Sequence, residues 1–220
     1  YGFPKNISDK VRAAMIEIYP QLTKTKIDYS WGGTLAVTMS RLPDFRRILP
    51  EKNNLGISIN YLEQKKPGGL PEAFIIGKEF IGKDNIALIL GDNFFYGQSL
   101  GKKLEDSVKL KSGARVFLHP VKNPHLYGVA TTNNKNKIIK IVEKPKKTKS
   151  NLAITGLYFF DNQVINFSKN LKPSKRKELE ITDLLNKYRK KNRLTAEMIG
   201  RGGTWLDTGN IEDFNNTSNF

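Results

Sequence analysis

The 220 residues contain no cysteine, which excludes disulfides and thiolate metal sites. Histidine is nearly absent too: His119 and His125 have no companions at metal-ligand spacing, and both read as structural. No apolar run approaches the roughly 20 residues of a membrane span. The opening YGFPKNISDKVRAAM lacks the apolar stretch of a secretory signal. The cytoplasm is therefore the expected location, with no membrane partner. The missing initial Met is what a fragment or a processed start would show. Neither a Walker pattern nor a G-x-G-x-x-G turn occurs. Acidic residues are scarce, with 21 Asp and Glu against 37 Lys and Arg, for a net charge of +16. Such a balance would suit nucleic acid or a highly anionic small substrate. The basic residues are scattered in short clusters, such as Lys144–Lys149 and Lys187–Arg193. No basic helix interleaved with aromatics appears, so the charge reads as a solvated surface and nucleic acid is not expected as a partner.

What is present alternates between two rhythms. SDKVRAAMIEIYP reads as a helix, capped by Ser8 and ended by Pro20. KIDYSWGGTLAVTMSRLP alternates like two strands around Gly32-Gly33. From Ile57 the pattern changes. ISINYLEQ predicts a strand and GLPEAFIIGKEFI a helix. NIALILGDNFF is a continuous apolar run, which predicts a strand buried on both faces. SLGKKLEDSVKL predicts a helix with Leu100 and Leu104 inward, and ARVFLHPV another strand. Strand, helix, strand, helix, strand predicts an α/β domain with a mostly parallel sheet covered on both faces. YGVATTNNKNKIIKIVEKP then reads as a hairpin around an Asn-rich turn. AITGLYFFD reads as a strand, EITDLLNKYRKK as a helix capped by Thr182, and TAEMIG and GTWLDTG complete the set.

In open sheets ligands bind beyond the carboxyl ends of strands. Asp92, just after ALILG, and Asp207, in GTWLDTGN, occupy such positions. Two such acids could share one Mg²⁺, although Asp in a Gly-Asp-Asn turn is often only a turn former. Glu143 could accept hydrogen bonds from sugar hydroxyls and Lys144 could meet a phosphate; a solvated Glu-Lys pair before Pro145 is the simpler account of that pattern. Tyr127-Gly128 precedes a strand, where Gly128 would admit a ligand close to the backbone or simply open a turn. Gly68-Gly69 could cradle a base or a phosphate.

Taken together and in order, EQKKPGGLPEAFIIGKEFIG, LILGDNFFYG, NPHLYGVA, VEKPKKTKSNLAITGLYFFD, LKPSKRKELEITDLLNKY and GRGGTWLDTGN resemble the glucose-1-phosphate thymidylyltransferases over residues 49–220. The resemblance implies a Rossmann-like nucleotide-diphospho-sugar transferase domain. It implies an enzyme that joins dTTP to glucose 1-phosphate with Mg²⁺ and releases pyrophosphate. By resemblance Gln64 and Gly69 face thymine, and Asp92 and Asp207 hold Mg²⁺ at the nucleotide phosphates. Tyr127, Gly128, Glu143 and Thr155 line the sugar pocket, and Lys144 and Arg176 grip the sugar phosphate. Two departures bear on the site. Pro71 and Glu72 stand where the family usually has Ala and Gln, which puts base selectivity in doubt, and Lys177 replaces a usual Gly.

The family's first strand-loop-helix unit, with its GG-x-GTR-L loop and catalytic Lys, is expected to be lacking. No catalytic residue is therefore assigned, and this chain is expected to be impaired or inactive. Residues 1–48, through IYPQLTKTKIDYSWGGTLAVTMSRLPDFRRI, instead resemble a substrate-domain segment of FAD-dependent oxidoreductases of the D-amino-acid oxidase type. Two proteins are expected to meet near Phe45–Glu51, as 1–48 and 49–220. The dinucleotide-binding Gly fingerprint of the oxidoreductases is missing, which argues against FAD. The chain ends at IEDFNNTSNF, short of the elements that often make oligomer contacts in the family. The alternatives are an FAD-dependent oxidoreductase fragment and a non-catalytic remnant that still binds sugar phosphate.

Overall fold

A computed structural model describes residues 60–97, 99–200 and 202–208. The helix and strands expected before residue 57, and the junction expected near residues 45–51, lie outside the described residues. All elements below belong to the larger of two compact units into which the chain divides.

The apolar segments fold where their patterns direct. GLPEAFIIGKEFI gives two short helices, α1 (Glu72–Ile76) and α2 (Lys78–Ile81), separated at Gly77. Pro71 stands at the N-cap of α1, where its missing N–H matters least. Strands β1 (Ile86–Ile89) and β2 (Asn93–Tyr96) follow, then α3 (Leu100–Val108), β3 (Ala114–Pro120), β4 (Gly128–Thr132), β5 (Ile138–Glu143) and β6 (Leu152–Phe160). Helices α4 (Gln163–Lys169) and α5 (Ile181–Lys190) and strands β7 (Leu194–Met198) and β8 (Thr204–Asp207) complete the order. Leu100 and Leu104 of α3 pack inward, as their spacing predicts. The Asn-rich hairpin forms between β4 and β5: Asn133 Oδ1 accepts from the N–H groups of Lys135 and Lys137, both at 3.0 Å, and Asn136 takes φ +56°.

The mostly parallel sheet expected from the sequence is not what forms. Six strands make one mixed sheet, in the order β5-β4-β6-β3-β7 with β1 also on β6. Among the described residues only β3–β7 is parallel; β1–β6, β3–β6, β4–β6 and β4–β5 are antiparallel. The reason lies in β6. Strands β1 and β3 do run the same way, as a strand-helix-strand unit requires. They are not neighbours, because the later, oppositely directed β6 lies between them. Local pattern sets the direction of β1 and β3, but it cannot announce a strand inserted from 32 or more residues away.

Further differences are smaller. ISINYLEQ does not give a strand over its described residues 60–64. The run expected as one doubly buried strand breaks into β1 and β2 at Gly91-Asp92, and Ile89 is 53% exposed. Thr182 does not cap α5: Glu180 occupies the N-cap, and Thr182 is buried in the first turn.

Alternate residues of β6 face two apolar clusters. Ile154, Tyr158 and Phe160 pack with Phe74, Val116, Leu184 and Tyr188 on one side. Ala153, Leu157 and Phe159 pack with Phe117 and Trp205 on the other. Among the described residues, no helix is long and apolar enough to cross a membrane.

Candidate functional site

The site begins as an interruption in the sheet. Along one edge β6 pairs with β3 from Leu152 to Phe160. Its other edge is shared by two strands. β1 takes Leu157–Phe160, and β4 takes Leu152 and Ala153. Between them, Ile154 and Thr155 have no described strand across that edge. Ligands of α/β sheets commonly bind where neighbouring strands change partners in this way, beyond the strand ends.

Asn93 lines one side of the split. Its Oδ1 accepts from Gly156 N–H at 2.9 Å and from Trp205 Nε1–H at 2.6 Å. It thereby ties β2 to both the central strand and β8. Gly156 must lack a side chain for this, since a Cβ there would lie 2.4 Å from Asn93 Oδ1. β2 and β8 pair antiparallel with Asn93 opposite Asp207. Thr208 donates from both its N–H and Oγ1 to the Asp92 carbonyl, each at 2.8 Å. The two acids predicted as metal ligands thus stand together at one end of this ladder.

The far side of the split carries the expected sugar-pocket residues. Gly128 is paired with Glu143 across β4 and β5, and Lys144 N–H donates to the Tyr127 carbonyl at 3.0 Å. A Cβ on Gly128 would meet Thr182 at 2.8 Å and Glu143 Oε2 at 3.4 Å, so the glycine makes room for both. Lys144 is exposed and takes φ +39°. Tyr127 packs edge-to-face on Trp205, with centroids 5.2 Å apart. Thr155 is fully buried in β6, and its hydroxyl has no hydrogen-bond partner among the described residues.

Arg176 lies beside Glu143. Its Nη2 is 3.8 Å from Glu143 Oε1, while Nε and Nη2 donate to the two carboxylate oxygens of Glu180 at 3.1 and 2.7 Å. Burial, and then the neighbouring Glu180, push the Glu143 carboxyl above its ordinary range; Thr182, Lys144 and Arg176 oppose this. Tyr158 is raised by burial first and then by the charges of Glu143, Asp207 and Asp92. The carboxylates from both sides of the split therefore act on one buried phenol.

The sign for Glu143 is clear. An acid whose folded pKa is raised contributes most stability below its unfolded pKa, and loses it as pH rises through the folded value. At neutral pH the ionised carboxylate costs stability. Glu143→Gln keeps an acceptor for Thr182 and should unfold at higher urea than the parent at pH 7. The gap should close towards pH 4. Equal midpoints at pH 7 would show that the site does not strain this carboxylate.

Gln64 and Gly69 come together as well. Gln64 Nε2 donates to the Gly69 carbonyl at 3.2 Å and to the Glu72 carboxylate. Gln64 Oε1 is buried with no partner among the described residues. Glu72, whose charge raised the question of base selectivity, is thus turned onto Gln64. Leu179 N–H donates to the Gly68 carbonyl at 2.8 Å, which links this turn to the chain following Arg176. Lys177, where the family usually has Gly, sits at φ +62°, a conformation that favours glycine.

Asn93, Trp205, Tyr158, Glu180 and Thr182 were not predicted as site residues. Trp205 stands in the same GTWLDTG segment as Asp207 and Asn93 directly follows Asp92, so their neighbours were the only signal. Among the described residues, no three His, Asp or Glu side chains group at metal-binding distance. Two carboxylates, Asp92 just ahead of β2 and Asp207 at the end of β8, suit Mg²⁺, which keeps several waters and takes one or two protein carboxylates with substrate phosphates.

A nucleotidyl transferase family model matches residues 19–220, a span that starts ahead of the expected junction. A glucose-1-phosphate thymidylyltransferase of Neisseria meningitidis serogroup A is 48% identical over 176 residues, which cover 80% of this chain and 61% of that protein. The chain thus spans somewhat less than two thirds of that curated relative. A Bacillus anthracis structure, provisionally described as a glucose-1-phosphate thymidylyltransferase and solved with sucrose, is 38% identical with TM-score 0.73, covering 82% of this chain and 72% of that one. A UDP-glucose pyrophosphorylase in complex with UDP-glucose is 28% identical with TM-score 0.61, covering 73% and 64%. The fold is the α/β Rossmann-like nucleotide-diphospho-sugar transferase fold, with its sheet mixed rather than mostly parallel. The chain belongs to the nucleotidyl transferase family.

Proposed function

We propose that residues 49–220 form the sugar-phosphate half of a glucose-1-phosphate thymidylyltransferase. The observation that carries this reading is the split in the edge of β6, with Asp92 and Asp207 at one side and Glu143 and Arg176 at the other. In the reaction, a phosphate oxygen of glucose 1-phosphate attacks the α-phosphorus of dTTP in line. The new P–O bond forms as the bond to pyrophosphate breaks, and positioning and charge neutralisation supply most of the catalysis. Arg176 and Lys144 would hold the sugar phosphate. Glu143, Gly128, Tyr127 and the unpartnered Thr155 hydroxyl would take the sugar. Gln64 Oε1, a buried acceptor without a donor, suits an imide N–H of a pyrimidine base, and Gly69, bonded through its carbonyl to Gln64, would lie beside that base. Asp92 and Asp207 would hold Mg²⁺, which supplies charge neutralisation at the phosphates when bound. The imide is common to thymine and uracil, so dTTP leads on overall likeness and UTP is its rival. The cytoplasm and a homo-oligomer belong to this same reading.

A second reading follows from the sequence itself. The 220 residues contain no GG-x-GTR-L motif. Losing one preorganised donor to a transition-state charge lowers rates by about 10²–10³. This chain is accordingly expected to bind glucose 1-phosphate with little turnover. The oxidoreductase-like segment over residues 1–48 is a separate proposal that draws on sequence resemblance alone, and nothing supports a flavin site.

Calorimetry with glucose 1-phosphate should give saturable binding, weakened about tenfold or more in Glu143→Gln through loss of a charged acceptor. Pyrophosphate release from dTTP and glucose 1-phosphate should be near background. Absence of binding would overturn the site, and brisk release would overturn the impairment.

A further inference from the structure

We propose that Glu180 is a positioning residue for the sugar-phosphate site. It grips one edge of the Arg176 guanidinium so that the other edge is presented to an incoming phosphate. The inference rests on the reading of Arg176 given above. Arg176 uses Nε–H and one Nη2–H on Glu180, in a side-on fork at 3.1 and 2.7 Å. That consumes two of the five N–H donors of a guanidinium. The end formed by Nη1 and the second Nη2–H makes no hydrogen bond to a described residue. Nη2 lies 3.8 Å from Glu143 Oε1, which is ion-pair distance only.

The two partners differ in burial. The Glu180 side chain is 11% exposed and that of Arg176 is 46% exposed. The carboxylate is thus the fixed member and the guanidinium the one within reach of solvent. Glu180 is set by backbone on both sides. Its carbonyl accepts from Asp183 and Leu184 at the start of α5, and the preceding Leu179 is bonded to Gly68. Arg176, by contrast, rides on a turn closed by Ser174 and Glu178. A flexible arginine on such a turn would lose much freedom on meeting a phosphate. A guanidinium already locked by its inner edge loses less, and its outer edge still matches a phosphate bidentately. Glu180 also shares its cation with Glu143, so Arg176 offsets the repulsion between the two carboxylates.

Two measurements test this. In ligand-free protein, NMR of arginine Nε–H groups should show a slowly exchanging Arg176 signal, assigned by its loss in Arg176→Lys. Glu180→Gln should abolish that protection. In calorimetry with glucose 1-phosphate, Glu180→Gln should weaken binding about tenfold in the parent and by less than about twofold in the Arg176→Lys background. A merely structural role would weaken both backgrounds equally and would overturn the proposal. Retained protection of Arg176 in Glu180→Gln would overturn it without any ligand. If the signal behaves as expected and the parent binds neither glucose 1-phosphate nor inorganic phosphate, the sugar-phosphate reading itself falls, and the positioning role with it.

Discussion

Asp161→Ala should lower the unfolding free energy by about 3–5 kcal/mol, the range for removing one member of a buried ion pair. Asp161 closes β6 and is 5% exposed. Its Oδ2 accepts from Gly113 N–H at 2.6 Å and from Arg193 Nη2 at 2.7 Å. Its Oδ1 accepts from the Tyr188 hydroxyl at 2.8 Å and from Gln163 N–H at 3.2 Å. One carboxylate therefore joins the entry to β3, the first turn of α4, the end of α5 and the approach to β7. Alanine would leave the hydroxyl of a fully buried Tyr188 and the Gly113 N–H without an acceptor, and each such loss costs about 1–3 kcal/mol. Arg193 is 30% exposed and can find water, which holds the total to the stated range. The thermal midpoint should fall by about 10 °C. Tyr188→Phe, which removes a donor rather than the shared acceptor, should lose only about 1 kcal/mol. A loss of that small size for Asp161→Ala would show that the four elements hold together without it.

This network was not legible in AITGLYFFD, because Gly113, Tyr188 and Arg193 lie 27 to 48 residues away from Asp161. The same limit explains the sheet. The pairing of β4 with β5, the Asn-rich turn between them and the apolar face of α3 are all local, and all form as their residues predict. Strand direction in the assembled sheet is not local. A reading of strand, helix, strand found the shared direction of β1 and β3, and missed that β6 would come between them. The burial of β1 failed for a related reason: its apolar residues look alike in sequence, yet Leu88 is buried and Ile89 exposed.

The candidate site divides along the same line. Asp92, Glu143 and Asp207 were singled out because they close strands, and β-ladder register is what brings Asp92 to Asp207 and Glu143 to Gly128. Lys177 was noticed as a departure from a usual glycine, and the cause is a left-handed backbone that any side chain strains. Glu180 is only the first residue of the helix expected over EITDLLNKYRKK. Its role as partner to Arg176 depends on a turn geometry that no spacing discloses. Asn93 looked like half of a turn, while its side chain in fact bridges two sheets.

Gly69→Ala should cost more than about 3 kcal/mol, and its effect should reach Arg176. Gly69 takes φ +94°, where a side chain alone costs roughly 1–3 kcal/mol. A Cβ there would also lie 2.1 Å from the Leu179 carbonyl oxygen and 2.7 Å from its nitrogen. Both are backbone atoms, so no rotamer change can relieve the clash. The chain around Leu179 must move, and Leu179 N–H would then part from the Gly68 carbonyl. That segment carries Glu180 and follows directly on Arg176, so displacement should weaken glucose 1-phosphate binding even though Gly69 itself is assigned to the nucleotide. Gly82 supplies the control. It takes φ +57° with nothing within 4 Å of a Cβ, so Gly82→Ala should bear only the backbone penalty. Urea unfolding of the two variants separates the terms. A loss in Gly69→Ala no larger than in Gly82→Ala would mean that Leu179 yields freely. The turn proposed to meet the base and the segment proposed to meet the sugar phosphate would then be independent. A loss well beyond the control, together with weakened sugar-phosphate binding, would mean that the two halves of the site are held in register by one glycine lying against one carbonyl.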